Sequence, residues 1–98
     1  MKRELVINYF NDINNKWETM SETYRHWSGQ CHVILFVSGN QIKLNYVPNG
    51  GPISQFYQAK TIIEFFDDYM TITESFEDFE DYIVIEFSSI DAIQSRLL

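Results

Sequence analysis

Residues 54–69, SQFYQAKTIIEFFDDY, decide the fold class, because they can be read with two different periods. Ile53, Phe56, Ile63, Phe66 and Met70, flanked by Tyr57, Ala59, Ile62, Phe65 and Tyr69, form a wide stripe at helical spacing. The stripe predicts a helix from Ser54 to about Tyr69. The Thr61-Ile62-Ile63 run within it is β-branched and keeps a strand reading open.

Upstream, Leu5, Tyr9, Ile13, Trp17, Met20, Tyr24 and Trp27 recur every three or four residues, which predicts a long amphipathic helix from Lys2 to about Trp27 stopped by Ser28-Gly29. The apolar run from His32 to Val37, then Ser38-Gly39-Asn40-Gln41, then the alternating Ile42, Leu44 and Tyr46, reads as a β-hairpin with Gly39-Asn40 as its two-residue turn. Pairing Val37 with Ile42 sets Leu35 opposite Leu44 and Val33 opposite Tyr46 on a core face. The other face, with Phe36 opposite Lys43 and Ile34 opposite Asn45, is mixed and calls for cover by another element or a partner.

Pro48-Asn49-Gly50-Gly51-Pro52 is the strongest punctuation and reads as a loop inside one domain. Ile83 to Phe87 reads as a strand, and Ser88 or Ser89 as the cap of a short last helix from Ile90 to about Leu97, with Asp91 near its N-terminus. Thr71 to Asp81 has two readings: a short strand at Met70 to Thr73 turning into Tyr82 to Phe87, or a short helix begun by the capping-box pattern Thr71-Ile72-Thr73-Glu74. The expected fold is therefore a single α+β domain over residues 1–98. A mostly antiparallel sheet of three to four strands packs with a long N-terminal helix, a second helix and a short C-terminal helix.

A chain of 98 residues has room for one core. At 45% hydrophobic and 16% aromatic it is too apolar for disorder, so its charged stretches belong to something that folds. The single cysteine, Cys31, cannot form an intramolecular disulfide. With no secretory signal and no apolar run of spanning length, the expected location is the cytoplasm. The run from Met1 to Leu97-Leu98 reads as a free-standing small gene product.

The charge is one-sided. From Glu64 to Asp91 there are ten acidic residues and no Lys or Arg, whereas the first 49 residues hold five basic against four acidic side chains. The net charge of −7 thus comes from the second half. Direct binding to nucleic acid or to anionic lipid is disfavoured by the sign of that charge.

Chemistry-bearing clusters are sparse. Cys31, His32 and His26 lie close in sequence but lack a second cysteine pair, and a buried thiol beside two packing or surface histidines is the expected arrangement. The acidic run has no Asp-x-Asp-x-Asp-Gly calcium loop and no glycine between Glu64 and Asp91. No nucleophile elbow or phosphate loop is present, and Asn49-Gly50-Gly51-Pro52 lacks the required lysine. No enzymatic activity, cofactor or metal is expected.

Uncompensated carboxylates repel one another, and a basic partner offsets that cost. The expectation is a small acidic inhibitor that plugs the nucleic-acid groove of a basic protein, in the form of an immunity protein or antitoxin against a nuclease toxin. A phage or plasmid DNA mimic acting on a defence nuclease is the alternative form. The expected contact surface comprises Asp67, Asp68, Glu74, Glu77, Asp78, Glu80 and Asp81, with Tyr69, Phe79 and Tyr82 as aromatic anchors. A structural or regulatory subunit, homodimeric through Ile34 and Phe36, is a third reading.

Overall fold

The structure, a computed structural model, describes residues 1–23, 31–46, 60–75 and 80–97. Among them run one helix, α1 (Arg3–Thr23), and six strands: β1 (Cys31–Val37), β2 (Asn40–Tyr46), β3 (Lys60–Phe65), β4 (Tyr69–Ser75), β5 (Glu80–Glu86) and β6 (Ile90–Leu97). The strands form two antiparallel three-stranded sheets, ordered β2-β1-β6 and β3-β4-β5. A 3-10 turn at Phe87–Ser89 carries the chain from the second sheet into the first.

The α+β expectation with three helices is therefore overturned, for two separate reasons. In residues 60–70 the apolar residues come in adjacent pairs, Ile62-Ile63, Phe65-Phe66 and Tyr69-Met70, which mimic a helical stripe. They are two strands with apolar residues on both faces, hinged at Asp67-Asp68, and the β-branched runs at Thr61–Ile63 and Thr71–Thr73 suit that pleated geometry. The part of the expected second helix before Lys60 lies outside the described residues.

The expected last helix is strand β6, antiparallel to the central strand β1 from Ile90 to Leu97. Its helix-like spacing of three between Ile90 and Ile93 arises from a β-bulge. Val37 pairs with Ile90 and Phe36 with Ala92, so Asp91 is an extra residue, and both isoleucines turn toward the core. Of the two readings of residues 71–81 the strand-to-strand one holds, in longer strands than expected, with residues 76–79 outside the described set.

The first hairpin stands, with its register moved by two. Its turn is Ser38-Gly39, at φ 48° and 85°, the positive pair that a tight I′ turn demands. Leu35 accordingly faces Ile42, Val33 faces Leu44 and Cys31 faces Tyr46. A shift of two preserves the faces, so the core assignment survives it.

In α1 Ile13 is buried as expected, but the stripe before it runs through Val6 and Phe10, one residue round from the expected Leu5 and Tyr9; Leu5 is 55% exposed and Tyr9 packs only at the edge of the core. The helix is apolar across a wide arc there, and Phe10 settles its rotation. The Phe10 ring stands edge-on to Tyr46 at 5.6 Å and tilted against Phe65 at 5.9 Å, touching both sheets. Polar ties follow the same path: the Tyr9 hydroxyl donates to Ser95 Oγ, the Tyr46 hydroxyl donates to Asn14 Oδ1, and Thr61 Oγ1 donates to the Asn45 carbonyl. Around these close Val33, Leu35, Leu44, Met70, Ile72, Ile85, Phe87 and Ile90, all buried.

Removing the Phe10 ring leaves a cavity between the sheets, so Phe10→Ala should cost about 3–5 kcal/mol of unfolding free energy in urea titration. Leu5→Ala, on the exposed side of the same helix, should change it by less than about 0.5 kcal/mol. Equal losses at the two positions would disprove the stated helix rotation.

Candidate functional site

In the second sheet, alternation divides the side chains between two faces. Ile63, Phe65, Met70, Ile72, Ile83 and Ile85 face the core, while Ile62, Glu64, Tyr69, Thr71, Thr73, Tyr82, Val84 and Glu86 take the opposite face, on which Thr71, at 4% exposure, is itself buried. Across the outer face Ile62, Thr73 and Tyr82 form one row, and Glu64, Thr71 and Val84 the next. Tyr82 and Val84 are 63% and 55% exposed, an unusual display of apolar surface on the edge strand β5.

At one end of this face the turn Asp67-Asp68 joins β3 to β4, closed by the Phe66 N–H donating to the Tyr69 carbonyl at 2.9 Å. The Phe66 and Tyr69 rings stack at 4.8 Å and 19° and remain partly exposed. The turn is anchored from behind. Arg3 Nε donates to the Phe66 carbonyl, the Phe87 N–H donates to the Asp68 carbonyl, and the Met1 nitrogen donates to the Phe87 and Ile90 carbonyls. These bonds use backbone groups and leave both aspartate side chains exposed to water. Beside the turn, Arg3, Asp67, Asp68, Glu86, Phe87 and Ser88 line an open cleft of about 510 Å³.

The expected contact residues are thus distributed over three places. Asp67, Asp68 and Tyr69 sit together at the turn, and Glu80 and Tyr82 lie on the outer face of β5. Glu74 and Asp81 are direct cross-strand partners at the far end of the inward face. Glu77, Asp78 and Phe79 lie outside the described residues. The seven residues of β4 separate the Asp67-Asp68 turn from the Glu80 end by roughly 20 Å.

Residues of this face that sequence reasoning left out are Ile62, Glu64, Phe66, Val84 and Glu86. The available signal was alternation: read as strand, Ile62-Glu64-Phe66 separates from Thr61-Ile63-Phe65, and the outward set becomes visible.

Cys31 and His32 point to opposite faces of β1, so they cannot converge on one ion, and burial pushes the Cys31 thiol up from its ordinary value. His26 lies outside the described residues. Among the described residues no three His, Cys, Asp or Glu side chains are placed to hold a metal, and no helix is long and apolar enough to cross a membrane. No family model, curated protein or solved structure matches the chain.

Glu74 is the strained acid of the set. It follows Met70 and Ile72 on the inward face, its Oε1 is shut off from water without a hydrogen-bond partner, and Asp81 lies directly opposite. Burial, and then the Asp81 charge, raise its pKa above the ordinary 4.5. A carboxyl whose folded pKa is raised stabilises the fold fully below its unfolded value, and that contribution is lost as pH rises through the folded value. Glu74→Gln should therefore raise the melting temperature at pH 7, with a gain that disappears by about pH 4, near the unfolded glutamate pKa. A gain of the same size at both pH values would show that ionisation is not its cause.

Proposed function

We propose that this chain is a small acidic inhibitor, an immunity protein or antitoxin, that neutralises a basic nucleic-acid-acting protein such as a nuclease toxin. The contact surface is the outer face of the second sheet together with the Asp67-Asp68 turn. The observation that carries this reading is the stacked, partly exposed Phe66–Tyr69 pair sharing one face with exposed Tyr82 and Val84, beside Glu64, Asp67, Asp68, Glu80 and Glu86. Exposed aromatic and apolar side chains set among charged ones are a recurrent feature of protein–protein contacts.

The division of labour follows from range. Carboxylates act at a distance, raising association toward an order of 10⁸ per molar per second with a basic partner at low salt. The rings act at contact, covering apolar surface and stacking on arginine guanidinium groups that otherwise grip phosphates. With those cations occupied, the partner's nucleic-acid groove is closed to its substrate. A DNA mimic directed at a defence nuclease calls instead for carboxylates spaced along one face as phosphates are. Here Glu74 and Asp81 turn inward, and rings at the turn end and on the β5 edge interrupt the carboxylates of the outer face, which favours the immunity form.

The test is capture from the source cell's lysate at low salt, followed by assay of the captured protein's nuclease activity with added inhibitor. One basic nuclease, inhibited at a one-to-one ratio and released as salt rises, is the expected result. Tyr82→Ala and Tyr69→Ala should each weaken that complex by about 2 kcal/mol, roughly 30-fold, chiefly through faster dissociation. Neutralising Asp67, Asp68 and Glu86 to their amides should slow association and flatten its salt dependence. Capture of no basic nuclease overturns the function, and wild-type binding by all of these variants overturns the face.

A further inference from the structure

The outer face of the first sheet has the opposite electrostatic character. Register sets Asn45, His32 and Arg96 side by side in one row, Lys43, Ile34 and Gln94 in the next, and Gln41, Phe36 and Ala92 in the third, with no acidic side chain in any row. In a chain with twice as many acidic as basic residues, this is a segregated basic surface. Lys43 and Arg96 come from opposite edge strands, one two-residue step out of line, so their Cα atoms stand roughly 12 Å apart. Side chains of their length reach toward one another over Ile34. Among the described residues neither has an ion-pair partner. His32, Ile34, Lys43, Gln94, Ser95 and Arg96 line a pocket of about 180 Å³ between them.

We propose that this pocket binds a phosphate group. Arg96 supplies the planar donor fork that matches two phosphate oxygens, Lys43 a mobile ammonium on the opposite side, and the His32 ring and Gln94 amide further N–H donors. The floor of the site is the half-buried Ile34, which lies between the two exposed cations. A carboxylate on a neighbouring strand would neutralise the pair, and the three rows hold none. The pocket lies on a different sheet from the proposed protein contact, so the two readings stand or fall separately.

The test is an amide-resolved NMR titration of the full chain with inorganic phosphate and, in a second arm, a nucleoside monophosphate, each against sodium chloride at matched ionic strength. Saturable shifts confined to residues near 32–34, 43–45 and 94–96, in the millimolar range, are expected in at least one arm. Lys43→Gln and Arg96→Gln should each weaken binding about tenfold without altering the circular-dichroism spectrum. Equal affinity in the two arms identifies the free anion as the ligand, and markedly tighter binding in the second identifies a phosphate carried on a nucleotide. Shifts that chloride reproduces, that never saturate, or that spread equally to Lys2 and Lys16 would overturn the site, as would undiminished binding by the double variant.

Discussion

The Phe10 ring, edge-on to Tyr46 and tilted against Phe65, lets one helix residue hold together two three-stranded sheets that share no strand. A sheet of three short strands has one apolar face to cover, and water will not cover it. Each sheet here is covered by the other and by α1, so the helix and both sheets bury one shared core. The ring chain extends past Phe65 to Phe87, which stacks on it at 6.4 Å in the turn that links β5 to β6. Thr61 donating to the Asn45 carbonyl ties β3 to β2. A change at Phe10 thus acts on the relation between sheets more than on either sheet alone.

The corner where β5 gives way to β6 also prepares the candidate contact surface. Arg3 and the Phe87 amide hold the Asp67-Asp68 turn by its carbonyl side, which sets the direction of the aspartates without neutralising them through side-chain pairing. A turn held from behind presents its charges in a fixed place, and fixed charges lose less entropy on binding than those of a free loop. The Phe66–Tyr69 stack stiffens the same turn from its outer side. Fold and site therefore share these contacts, and the helix start contributes to both.

Much of this was written in the sequence at the level of local pattern, and lost where two patterns coincide. The first hairpin was legible because alternation and a glycine turn agree, and the two-residue error in register cost nothing because faces repeat every two residues. The first helix was legible as a helix from its start to Thr23, the expected end at Trp27 and Ser28-Gly29 lying outside the described residues, although two neighbouring apolar lines, through Leu5 and through Val6, left its rotation to be decided by what the sheets offered. Strand β6 was not legible as a strand. Its bulge places Ile90 and Ile93 on one side at a spacing that only a helix gives in regular structure, and the partner that makes it a strand, β1, lies more than fifty residues away. The same confusion hid half of the candidate site. Once residues 60–70 are taken for a helix, Phe66 and Ile62 merge into a buried stripe, and only the acids with Tyr69, Phe79 and Tyr82 remain as surface features.

The carboxylates of β5 serve the isolated molecule as well as any complex, and this changes the weight each observation carries. β5 is an edge strand, and Glu80, Asp81 and Glu86 along it repel a second copy that approaches edge to edge. Acidic residues there need no partner to account for them. Tyr82 and Val84 are different: on that same strand they are more than half exposed and raise the risk of aggregation, while their packing is limited to cross-strand neighbours Thr73 and Thr71. The case for a binding face therefore rests on the exposed apolar side chains, and the charge around them specifies only the sign of what binds.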